Sequence, residues 1–70
     1  MLVVTKNSTY RVVPEGHRFY VEKIAETRPN PNGIDIGWSY TFTTLNVAIG
    51  ERARFGTFVT TEVLEVKAGS

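Results

Sequence analysis

Among the side chains that usually carry proton transfer or nucleophilic attack, the chain has one histidine, His17, one aspartate, Asp35, and no cysteine. His17 and Asp35 can be grouped on paper with Ser39 or Thr41 as base, orienting acid and nucleophile. With nine threonines in the chain, however, hydroxyls fall near any histidine by chance. His17 follows Gly16 directly and reads as a solvent-facing turn residue. No catalytic set is expected, and the chain is not expected to be an enzyme.

Metal chemistry has no better footing. A structural zinc site needs four Cys or His ligands and a catalytic one typically three protein ligands. Hard cations need clustered oxygens, whereas Asp35, Glu51, Glu62 and Glu65 are scattered along the sequence. The glycine spacing of Gly33-Ile34-Asp35-Ile36-Gly37 lacks the strand, turn and helix context that cradles phosphate. No metal and no cofactor is expected.

What remains is binding chemistry. Trp38, Tyr40 and Phe42 alternate with Ser39, Thr41 and Thr43, which puts the single tryptophan and two other rings on one side of a strand. Such a stripe serves as the core of a small β domain, as a protein interface, or as a stacking platform for single-stranded nucleic acid. Arg52 and Arg54 alternate in the same way around Ala53, which directs both cations outward and Ala53 with Phe55 inward. Arg28 and Asn32 lie in the segment Arg28-Pro29-Asn30-Pro31-Asn32-Gly33, where two prolines and an Asn-Gly pair mark a rigid polar loop. The candidate contact residues are therefore Trp38, Tyr40, Arg52, Arg54, Arg28 and Asn32.

These residues must be held by strands. Nine valines, nine threonines, three tyrosines and four phenylalanines suit a pleated, half-buried surface and suit helices poorly. Strands are expected over residues 2–6, as an edge, and over 10–13, with Pro14-Glu15-Gly16 ending the second. A third spans 17–26, where Ile24 falls out of phase with Phe19 and Val21; a bulge near Glu22 and Lys23 would return it to their side. The chain then continues through 34–44 and 52–55 into a closing strand with Leu64 and Val66 inward and residues 67–70 as a frayed tail. Phe58 to Val63 reads as a strand end or a short 3₁₀ turn.

Seventy residues allow one domain, and a chain this short buries only about 60% of the surface of its extended form. Five or six short antiparallel strands in that length point to an all-β barrel of SH3-like or OB-like type, since sandwiches need about 100 residues. The segment Phe55-Gly56-Thr57-Phe58-Val59-Thr60-Thr61-Glu62-Val63-Leu64-Glu65-Val66 resembles the last turn and strand of SH3-like modules. It lacks their acidic and proline-reading aromatic motifs, so no ligand class carries over.

The absence of cysteine and of a recognisable signal segment favours a cytoplasmic protein, and no apolar run approaches a membrane span. Eight basic against seven acidic residues give a net charge of +1, little support for a duplex-binding role. The function expected is that of a non-enzymatic protein-interaction module: a regulator, inhibitor or accessory subunit that binds a protein partner or a second copy of itself. Single-stranded nucleic-acid binding through ring stacking and arginine contacts is the alternative.

Overall fold

Alternation of β-branched and aromatic residues with polar ones becomes, among the described residues, seven antiparallel strands in the computed structural model. These are β1 (Leu2–Thr5), β2 (Ser8–Glu15), β3 (Arg18–Glu26), β4 (Ser39–Phe42), β5 (Leu45–Asn46), β6 (Arg52–Phe55) and β7 (Phe58–Lys67). The structure describes residues 1–27 and 35–68. Arg28 and Asn32, with the rest of the expected contact loop, lie outside the described residues.

Hydrogen-bonded neighbours run in the order β4-β3-β2-β1-β7-β6-β5. The two ends of this order, β4 and β5, are separated in the chain only by Thr43 and Thr44. Three peptide steps from Phe42 to Leu45 can span at most about 11 Å, so the sheet must curl until its two edges approach at this corner. The result is a half-barrel compatible with SH3-like or OB-like architecture. It has seven strands instead of five or six, because the two-residue β5 is too short to leave an alternating pattern. β1, expected at an edge, lies between β2 and β7. β2 also runs past Pro14, which pairs with Phe19, and turns at Gly16 with φ of +62°.

The interior of the curl is filled by Val3, Tyr10, Val12, Val21, Ala53, Phe55 and Val63. Three irregularities decide which residues reach it. On β3 the register passes from Thr9↔Ala25 to Tyr10↔Lys23, which makes Ile24 the extra residue. The expected bulge is therefore present but acts in the opposite sense: Lys23 takes the buried position and Ile24 stays 39% exposed. On β7 the pairs Val4↔Glu65 and Thr5↔Val63 leave Leu64 unpaired and outward, in place of its expected inward position, while Val63 enters the core. A bulge reverses the parity of everything beyond it.

The third irregularity lies between β6 and β7, where Arg52 pairs with Glu62 but Arg54 with Val59. Here a side chain repairs the ladder. The Ala53 N–H donates to Thr60 Oγ1 at 3.1 Å, and the same hydroxyl donates to the Thr61 carbonyl at 2.7 Å. β7 is thus one continuous ten-residue strand, with no 3₁₀ turn between Phe58 and Val63.

Candidate functional site

The aromatic stripe divides according to its distance from the core. Trp38 stacks on Phe58 with centroids 5.2 Å apart and planes at 29°, and Phe42 lies 6.1 Å from Phe55. Both are half-buried and join the interior rings, where Tyr10 meets Phe55 edge-on at 5.5 Å. These contacts tie β4 to β6 and β7 across the curl, the role that a core reading of the stripe requires. Tyr40 differs. Its ring touches Phe42 at 5.1 Å yet remains 62% exposed.

Tyr40 owes its exposure to the position of β4. This strand pairs with β3 on one side, and among the described residues no strand covers its other side. The direction of its free backbone groups follows from the ladder. The Lys23 N–H donates to the Trp38 carbonyl at 2.8 Å, and the register continues through Glu22↔Ser39, Val21↔Tyr40 and Tyr20↔Thr41. Antiparallel rungs alternate between bonded and non-bonded pairs. Tyr40 and Phe42 therefore bond to β3, while Ser39 and Thr41 point their N–H and C=O groups toward the open side.

The open side is electrically neutral along its sequence. From Ile36 to Gly50, fifteen residues that include both edge strands, there is no Asp, Glu, Lys or Arg. Among the described residues, the three most exposed large apolar side chains, Ile36 at 58%, Tyr40 at 62% and Ile49 at 66%, all fall within this stretch. Composition made the run legible in advance, but its coincidence with both sheet edges required the strand order.

Arg52 and Arg54 project outward from β6 as expected, with Ala53 and Phe55 buried on its other face. Arg52 faces Glu62 across the register and Arg54 is paired in register with both Val59 and Asn46. Among the described residues neither arginine makes an ion pair; Glu62 instead lies 3.5 Å from Lys6 Nζ. The structure thus brings Tyr40 to an open edge and both arginines to exposed positions on β6, and seats Trp38 in the ring cluster. His17 is exposed in the β2–β3 turn.

Sequence reasoning missed a polar cluster at one end of the curl. Lys23 is fully buried, with Nζ 2.5 Å from Glu26 Oε1. Ser8 and Tyr10 face Glu26 and Lys23 in the β2–β3 register, and Thr5 Oγ1 both donates to the Ser8 carbonyl and accepts its N–H. Burial pushes the Tyr10 phenol above its ordinary value of 10.0; the Glu26 carboxylate adds to the rise, and a hydrogen bond with Ser8 opposes it. The only advance signal was the phase break at Ile24.

Among the described residues, no three His, Asp or Glu side chains gather where they could hold a metal ion. No helix in those residues is long and apolar enough to cross a membrane. No protein-family model, curated protein or solved structure matches the chain. The described strands form a small all-β domain.

Proposed function

We propose that this protein is a non-enzymatic protein-interaction module that engages its partner along the open edge of the half-barrel. The observation that carries this reading is Tyr40, a large aromatic side chain 62% exposed on a strand whose outer backbone donors and acceptors no strand among the described residues pairs. Aromatic residues are enriched at interface hot spots, and exposed strand edges pair readily with other chains. A cytoplasmic regulator, inhibitor or accessory subunit would use such a surface. Trp38 serves the site from beneath by stacking on Phe58, and Arg52 and Arg54 supply charge on β6, beside β5 at the other end of the strand order.

The nucleic-acid alternative has less support at this surface. Stacking platforms for single strands need cations beside the ring, and the chain around Tyr40 carries no charge from residue 36 to residue 50. A photo-crosslinking side chain at position 40 tests the two readings directly. The expected product is a covalent adduct with protein, sensitive to protease and formed equally in low and moderate salt. A nuclease-sensitive adduct that weakens steeply with salt and with loss of Arg52 and Arg54 would overturn the proposal.

A further inference from the structure

The geometry points to a particular partner and register: a second copy of this chain, joined by antiparallel pairing of β4 with β4 about a two-fold axis through Tyr40. This rests on the interaction reading above and specifies how the edge is used. Three observations select the second copy.

The first is the direction of the free backbone groups. Ser39 and Thr41 both face the open side, two residues apart with Tyr40 between them. A two-fold through Tyr40 lets Ser39 of each copy exchange both of its bonds with Thr41 of the other, making four N–H···O=C bonds and leaving the β3 ladder untouched. The second is charge. An isologous interface sets each side chain against a copy of its own surface, so any charge near the axis meets its like. β4 and its flanks carry none from residue 36 to residue 50, although the chain holds fifteen charged residues elsewhere. None of the lysines, prolines or inward-facing charges that usually guard an edge lies on β4. β5 is only two residues long and offers too little ladder to compete.

The third is the size of the core. Among the described residues, seven buried hydrophobic side chains make a small interior, and the chain has no cysteine for a disulfide. Pairing at this register brings the two Tyr40 rings together as a non-bonded antiparallel pair, with Cα atoms about 4.5 Å apart. That contact covers exposed apolar area beside Phe42 and extends the ring cluster across the axis.

The absence of native cysteine allows the register to be read by single-cysteine variants. Under mild oxidation Tyr40→Cys is expected to give a disulfide-linked dimer. Ser39→Cys is expected to remain unlinked, because residue 39 lies diagonal to its copy, with Cα atoms about 7–8 Å apart and beyond easy disulfide reach. Sedimentation of the unmodified chain should show mass rising from 7.8 kDa toward twice that value with concentration. Thr41→Pro removes an outward N–H without touching the β3 ladder, and should weaken the dimer roughly tenfold or more while far-UV circular dichroism is retained. Tyr40→Lys sets two cations together at the axis and should give a folded monomer even if the proline variant does not fold.

A chain that stays at 7.8 kDa up to about 1 mM, or equal cross-linking at positions 39 and 40, would overturn self-pairing through this register. The crosslinker at position 40 separates the two failures. A monomer whose position 40 captures a different protein retains the interaction reading and loses the second copy; a monomer that captures no protein loses both.

Discussion

Tyr10 and Tyr40 are alternating-strand tyrosines with opposite fates, and the difference lies in what covers them. Tyr10 is central to the sheet, buried against Phe55 and Phe58, with its hydroxyl beside Ser8 and Glu26. Tyr40 has the same amphipathic chemistry on an uncovered edge. The environment of Tyr10 makes stability depend on pH in a defined direction. Its phenol titrates above the ordinary value of 10.0, so the neutral form is favoured in the fold. That contribution is fully present below pH 10 and is lost as pH rises through the folded-state value. Urea midpoints measured from pH 8 to pH 11.5 should fall at the alkaline end for the native chain, and Tyr10→Phe should flatten this fall.

At the scale of elements, the turn between β6 and β7 illustrates how closely a ring can dictate a backbone position. Gly56 has φ of +60°, and a Cβ built there would lie 2.8 Å from Phe42 Cδ1. Its N–H also donates to the Thr44 carbonyl at 3.0 Å, which fastens this turn to the β4–β5 corner. Two requirements, a left-handed backbone and space for the Phe42 ring, converge on one residue. Gly56→Ala should therefore cost about 1–3 kcal/mol in chemical denaturation. Gly16 has a similar φ of +62° but open space around it, so Gly16→Ala should cost only the backbone part, about 1 kcal/mol. Equal losses at the two sites would show that Phe42 does not pack against the turn as described.

For the whole molecule, the seven-strand order and the two-residue link between its ends force the sheet to roll around Phe55. That ring is fully buried and touches Tyr10, Phe42 and Phe58, so it joins strands from both ends of the order. Removal of a buried phenylalanine ring costs about 3–5 kcal/mol. A chain of this size without staples rarely has more than about 3–5 kcal/mol in total. Phe55→Ala is accordingly expected to be largely unfolded at 25 °C by near-ultraviolet circular dichroism, whereas Phe55→Leu should fold with a lowered urea midpoint. An alanine variant that keeps the native midpoint would remove Phe55 from the centre of the fold.

Composition and alternation were sufficient for the all-β class, for the outward arginines around Ala53 and for the exposed His17, because each depends only on period-two geometry or on a turn signal next to it. They were also sufficient to show a single histidine, a single aspartate and no cysteine. The fates of Lys23 and Ile24, of Val63 and Leu64, and of Tyr40 against Trp38 and Phe42 were decided only by tertiary structure. A bulge inserts one residue that leaves no mark in the local pattern and exchanges inside for outside beyond it. An edge is defined by the strand that is absent beside it, a property of the order of the whole sheet. For the same reason the uncharged run from Ile36 to Gly50 was visible in the sequence, while its meaning as the open seam of a half-barrel depended on β4 and β5 standing at opposite ends of that order.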